Sequence, residues 1–226
     1  MNTHPITLCG VDLCALGSGA LFWPAEGLLC VSDLHLGKSD RIARRSGAQF
    51  PPYEVRDTLL RLEADIEATG ARRILCLGDS FDDADAVNAL SGDDAMWLAR
   101  LQAGRDWLWV EGNHDPGPIG IGGTHLAHLR LGPLVFRHIA DPATHGEVSG
   151  HYHPKATVAA RGRSITRACF LVDCERLVMP AYGTYTGGLR SHDPVLCALM
   201  RDDALAILTG PVPRPVPMPR KRGSSR

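Results

Sequence analysis

Three short apolar runs constrain the fold more than any other feature of the chain: Leu28-Leu29-Cys30-Val31-Ser32, Arg73-Ile74-Leu75-Cys76-Leu77 and Trp107-Leu108-Trp109-Val110. They are nearly continuous in apolar residues rather than alternating, the pattern of strands covered on both faces. Between the first two, Tyr53 to Thr69 carries Val55, Leu59, Leu62 and Ile66 at helical spacing, with Pro51 and Pro52 before it and Gly70 after it. A second helix is expected over Asp93 to Ala103, closed by Gly104. Strand, helix, strand, helix, strand implies right-handed crossovers and an α/β core. The second half reads differently, with strand candidates at Leu134–His138, Lys155–Ala160, Ser164–Val172, Leu177–Met179, Pro194–Leu199 and Ala204–Leu208. A second, more antiparallel sheet packed on the first accounts for it.

The 226 residues, 44% of them hydrophobic and 22% charged, suffice for one domain with a core that needs no disulfide staples. Residues 1–210 are expected to form it. The stretch PVPRPVPMPRKRGSSR, residues 211–226, is rich in proline and arginine and reads as a disordered tail. The seven cysteines contain no CxxC pair and sit mostly in apolar runs, as reduced thiols of a cytoplasmic protein would. No apolar run reaches the ~20 residues of a membrane span, and no secretory signal opens the chain. A net charge of −1 argues against a non-specific nucleic-acid-binding module while leaving room for an enzyme with a local basic groove.

The ends of the three runs carry the chemistry. Asp33 and His35 follow the first, Asp79 the second, Asn113 and His114 the third; His138 closes LVFRH, and His151 and His153 stand in SGHYHP. In open α/β sheets ligands bind beyond the carboxyl ends of strands. Any one of these pairs could be a turn with a surface histidine. Four such clusters in order point instead to a metal site, and carboxylate and amide oxygens mixed with imidazoles suit Mn, Fe or Zn.

The motifs DLH, GD, GNHD and GHYH, in that order from Asp33 to His153, resemble the signature of the calcineurin-like metallophosphoesterases. The resemblance implies a four-layer αββα sandwich, two mixed sheets flanked by helices, with two metals at the strand ends. Asp33, His35, Asp79 and His153 would hold one metal. Asp79 would bridge to the second, held also by Asn113, His138 and His151. His138 has no motif of its own, and His125, His128 and His145 compete for its place. A metal-bridging hydroxide would attack phosphorus in line with the leaving oxygen. His114 would stabilise the phosphate or protonate the leaving group, with Asp115 placed either to orient that imidazole or to close a turn.

A narrower resemblance rests on SDLHLGK, GDSFDD, VEGNHDP, an RH before GHYHP, and MPAYGTYTGGL at 179–189. Together they are similar to the ligase-associated DNA damage response endonucleases, the PdeM family. That implies manganese-dependent cleavage of single-stranded DNA in DNA repair. It also implies functional association with a DNA ligase, an Lhr-like helicase and a β-CASP-type exonuclease. The chain departs at Asp82, where members often carry histidine; this leaves the ligand set intact and bears on the choice between diester and monoester.

Lys38 and Arg41, with Arg44 and Arg45 behind them, are candidates to hold the phosphates flanking the scissile one. If Ser39 caps a short helix, the arginines fall within about one turn. Tyr182, with Tyr185 and Gly187-Gly188, would border the site and offer a base a ring to stack on, unless Tyr182 is core. The competing enzyme reading is a phosphatase or a cyclic-nucleotide or small-molecule phosphodiesterase. A non-catalytic scaffold on the same fold should show gaps in the motifs, and none is visible.

Overall fold

In the computed structural model, residues 2–39, 41–42, 53–82, 86, 90–115, 120–160 and 162–220 are described. The chain opens with an antiparallel meander, β1 (Thr3–Leu8), β2 (Val11–Leu16) and β3 (Leu21–Trp23), which the apolar-run reading had not marked as strands. β4 (Leu28–Val31), α1 (Glu54–Thr69), β5 (Arg73–Leu77), α2 (Gly92–Gln102) and β6 (Asp106–Val110) then follow in the expected alternation. With β7 (Thr124–Leu126) they make one sheet in the order β1-β2-β3-β4-β5-β6-β7, parallel from β4 onward.

Local chemistry explains both long helices. Ser91 Oγ accepts the Asp94 amide at 3.1 Å to start α2, and Gly70 ends α1 in the left-handed region, its N–H on the Ile66 carbonyl at 2.9 Å. Val55, Leu59, Leu62 and Ile66 of α1 and Leu98 and Leu101 of α2 cover Leu29, Val31, Ile74, Cys76 and Trp109 on the outer face of this sheet.

The second sheet is built from β8 (Leu129–Leu131), β9 (Leu134–Arg137), β10 (Glu147–Ser149), β12 (Arg163–Val172), β13 (Arg176–Val178), β14 (Leu205–Leu208) and β15 (Arg214–Pro217). Its order is β15-β14-β12-β13-β10-β9-β8, and β11 (Lys155–Ala160) pairs with β12 beside it. It is mixed: β9, β10 and β13 run parallel, the rest antiparallel. Leu28, Cys30, Leu75 and Leu77 from the first sheet meet Phe136, Val148, Phe170 and Leu177 from the second in the central core. On the far side Leu196 and Met200, from and just after α3 (Pro194–Leu199), cover Cys169, Leu171 and Ala206. The result is helices, sheet, sheet, helix: a four-layer α/β sandwich of two mixed sheets.

Two expectations are corrected. Pro194–Leu199 is a helix, not a strand, because the Asp193 carboxylate accepts the Val195 amide at 3.0 Å and Pro194 takes the first helical turn. Residues 211–220 are ordered rather than a disordered tail, since Arg214–Pro217 pairs with β14 and Met218 is buried. Proline stands at every second position, 211, 213, 215, 217 and 219. That period of two places every missing N–H on the open side, while the intervening residues face the ladder, as the bond from the Met218 amide to the Ala204 carbonyl shows at 2.9 Å.

Shifting proline by one residue should therefore be costly. Val216→Pro removes an amide from the bonded side and is expected to lower the unfolding free energy by about 1–3 kcal/mol. Pro215→Val should stay within about 0.5 kcal/mol of the parent in urea titrations.

Candidate metal centre

Both sheets send the carboxyl ends of parallel strands to one place. β4 leads into Ser32, Asp33 and His35, β5 into Gly78 and Asp79, β6 into Asn113 and His114; from the second sheet β9 leads into His138 and β10 into His151 and His153. Five of these residues have left-handed backbone: Asp33 (φ 55°), His35 (46°), Asp79 (47°), His151 (70°) and His153 (47°). Such conformations cost roughly 1–3 kcal/mol each for residues with a side chain, and they collect where function requires them. Sharp left-handed turns let a buried strand end fold its side chain back over the sheet edge.

The side chains fall into groups. Asp33, His35 and His153 present ligand atoms within 4.8 Å of one another, and so do Asp79, His138 and His151. Asn113 joins the second through Oδ1, 3.1 Å from His138 Nε2. The groups adjoin: His138 Nδ1 lies 3.9 Å from Asp33 Oδ1, and the His151 amide donates to Asp33 Oδ2 at 3.0 Å. His138 is thus the histidine brought to the site. His125 stacks on Trp109, His145 is paired with Glu175 at 3.4 Å, and His128 lines a cavity beside Asn113 and His138.

The donor set fits divalent cations. His138 Nδ1 faces the Leu77 carbonyl at 3.0 Å, so it carries the proton and leaves the Nε2 lone pair aimed inward. Around that one nitrogen stand Asp79 Oδ2 at 3.2 Å, Asn113 Oδ1 at 3.1 Å and His151 Nδ1 at 3.3 Å. A single proton satisfies one of these acceptors; a cation satisfies all. Likewise Asp33 Oδ1 is buried without a hydrogen bond, 3.0 Å from His153 Nε2, which in turn lies 3.5 Å from His35 Nε2. Oxygen and imidazole donors with no thiolate suit Mn, Fe or Zn.

The carboxylates are held ionised. Burial pushes Asp33 and Asp79 up, but His153 and His138 outweigh it; Asp33 ends below the usual carboxylate range and Asp79 at about 2. Burial likewise pushes His138 down, and Asp79 and Asp33 reverse it, so a proton on His138 serves where a metal is absent. His151 is lowered, first by burial and then by His138.

Residues around the centre take definite positions. His114 donates its amide to Asp79 Oδ1 at 2.9 Å; its Nδ1 is 2.9 Å from the Asp82 carbonyl and its ring is partly open to solvent. Asp115 does not reach the His114 ring: its Oδ2 accepts the amides of Ser80 and Phe81 at 2.7 and 3.1 Å, clamping the β5 and β6 loops together. Burial, then the nearby Asp79 charge, raises its pKa to about 6. Asp82, fully buried, faces His35 Nδ1 at 3.0 Å, Arg41 Nε and, at 4.0 Å, Lys38 Nζ. It directs the opposite nitrogen of His35 inward, a supporting role the motif reading did not assign. Ser32 was also missed; its hydroxyl donates to Asp33 Oδ2.

Lys38 and Arg41 are mostly covered and sit on Asp82. Ser39 lies within the helical turn, its amide and hydroxyl on Glu54 Oε1. Arg44 and Arg45 fall outside the described residues, as do Pro51 and Pro52. Tyr182 is corrected: its ring is fully buried beneath Arg61 and its hydroxyl donates to Asp65 at 2.8 Å, so no base can stack on it. The exposed aromatic of that loop is Tyr185.

No protein-family model matches the chain, and no curated protein matches it. Among solved structures it is similar to the crystal structure of Pseudomonas putida nuclease MPE, with a TM-score of 0.70 and 26% identity over 95% of this chain and 100% of that one. No helix among the described residues is long and apolar enough to cross a membrane.

Two outcomes follow from the geometry. A Cβ on Gly112 would sit 2.1 Å from the Asp79 amide and 2.3 Å from its Oδ1, so Gly112→Ala should weaken metal binding by calorimetry at least about tenfold while the far-UV circular dichroism is kept. Since the His138 proton must leave for the ion to bind, and Asp79 and Asp33 hold that proton to higher pH than an ordinary histidine would, affinity should already fall as pH is lowered from above the ordinary histidine value of about 6.5. Calorimetry in buffers of different ionisation enthalpy should register proton release.

Proposed function

We propose that the chain is a metal-dependent phosphodiesterase that cuts single-stranded DNA internally, with manganese as its metal and a place in DNA repair. The observation that carries this reading is the adjoining pair of buried groups, Asp33–His35–His153 and Asp79–His138–His151. The two groups adjoin, with His138 Nδ1 3.9 Å from Asp33 Oδ1, as neighbouring sites of a two-metal hydrolase would. Likeness to a solved nuclease supports nucleic acid as the substrate. The resemblance of SDLHLGK, VEGNHDP and MPAYGTYTGGL to the ligase-associated endonucleases supports the finer assignment, including an association with a ligase, an Lhr-like helicase and a β-CASP-type exonuclease.

When bound, two divalent ions neutralise phosphate charge and acidify a water for attack on phosphorus. Asp33, His35 and His153 would hold one, and Asp79, Asn113, His138 and His151 the other. The chain's own part in the proton economy falls to His114. Its Nδ1 faces the Asp82 carbonyl and carries a hydrogen, so Nε2, 4.0 Å from Asp79 Oδ2, is the nitrogen that would pass a proton to the departing oxygen from the doubly protonated ring, which returns to the neutral Nδ1–H form. Asp79 fixes that ring through the His114 amide, and Asp115 holds the two loops in register. Lys38 and Arg41 offset Asp82 at the rim, from where they would also face flanking phosphates.

The test uses metal-stripped protein on circular single-stranded DNA. A circle has no ends, so linear products on adding Mn²⁺ mean endonuclease cleavage, and His114→Ala should slow it by about 10²- to 10⁴-fold. An intact circle, with hydrolysis of bis-p-nitrophenyl phosphate retained, would assign the site to small phosphodiesters instead.

A further inference from the structure

We propose that a groove beside the metal centre, lined by Arg61, Lys155, Arg167, Tyr185, Thr186 and Arg190, binds the single strand that flanks the scissile phosphate. The proposal rests on the reading of the site as a nucleic-acid phosphodiesterase. The groove encloses about 460 Å³, and its lining holds four cations and no carboxylate. In a chain of net charge −1 that local excess is selective. Among the described residues Lys155, Arg167 and Arg190 make no ion pair. Lys155 Nζ donates to the Thr186 carbonyl at 3.0 Å and Arg190 to Thr157 Oγ1 at 3.2 Å, so their charges are positioned but not neutralised. Arg167 and Arg190 are exposed, the state in which arginine can meet a phosphate.

The groove is joined to the centre through its walls. Lys155 follows His153 by two residues, a chain reach of at most about 7 Å. Gly183, in the lining, donates its amide to the Asp33 carbonyl at 3.0 Å. Gly188 packs so closely on the His153 carbonyl that a Cβ would lie 2.0 Å from it. A strand whose scissile phosphate sits at the metal ligands would therefore enter this groove with its next phosphates. Tyr185, 42% exposed at the rim, offers the ring that Tyr182 cannot. Lys38 and Arg41 already face a buried carboxylate, so the groove cations carry more of the strand's charge.

The test reads binding separately from cleavage. A labelled 20-nucleotide oligo(dT) is titrated by fluorescence anisotropy across a salt series, on a His114→Ala background so that it stays intact. Adding Arg167→Ala and Arg190→Ala should weaken binding at low salt at least about tenfold and reduce the salt slope by about 1.4, the value for two lost phosphate contacts on a single strand. With His114 restored, hydrolysis of bis-p-nitrophenyl phosphate should be unchanged, which shows that the variant is folded. Arg72→Ala with Arg105→Ala, at the opposite ends of β5 and β6, should alter neither slope nor affinity. Unchanged binding in the groove variant, or an equal loss in the control, overturns the proposal even if the wild type cuts DNA. Groove-dependent binding by a wild type that cuts no DNA would sink the nuclease reading and leave the groove standing.

Discussion

Two carboxylates, Asp33 and Asp79, lie almost wholly out of water with four imidazoles around them, and the surrounding structure is organised to keep them ionised there. Unpaired, each would carry a desolvation penalty of several kcal/mol. Asp33 is held by the Ser32 hydroxyl, the His151 amide and His153, Asp79 by the His114 amide and His138. These partners come from both sheets, so the charge cluster also ties the sandwich together at one end. The left-handed turns at five of its members are tolerated because this web over-determines them.

The topology makes the cluster possible. β4, β5 and β6 are parallel neighbours, as are β9, β10 and β13, and the two sheets face each other with their carboxyl ends at the same pole. Residues far apart in sequence, such as His35 and His153, meet because each follows a strand of a different sheet. Tight approaches at Gly112 and Gly150 remove the side chains that would hold these loops apart; a Cβ on Gly150 would fall 1.9 Å from Ser32 Oγ.

Much of this was readable in the chain. Continuous apolar runs marked β4, β5 and β6, the helical spacing marked α1, and the polar residues after each run marked the site. What escaped depended on partners that sequence distance conceals. The alternation in β1 and β2 is short and diluted by polar residues, so their strands become evident only against the second sheet. The arginine and lysine after Asp33 looked like free phosphate ligands because Asp82, more than 40 residues on, is not adjacent in sequence. Tyr182 sits in a glycine-rich loop, the usual address of an exposed ring, yet Asp65 on α1 anchors it inward. Asp115 follows His114 in sequence but serves the amides of a neighbouring loop.

The proline spacing of β15 has a consequence for the protein's behaviour in a crowded solution. An edge strand usually offers an unbroken row of donors and acceptors that another chain can extend, which is how sheets stack into aggregates. Here the outward row lacks its donors at 213, 215 and 217, so an approaching strand finds carbonyls alone and cannot close the reciprocal pairs of a ladder. β15 thus serves as a selvage, finishing the second sheet along one margin so that it cannot be lengthened by a neighbour.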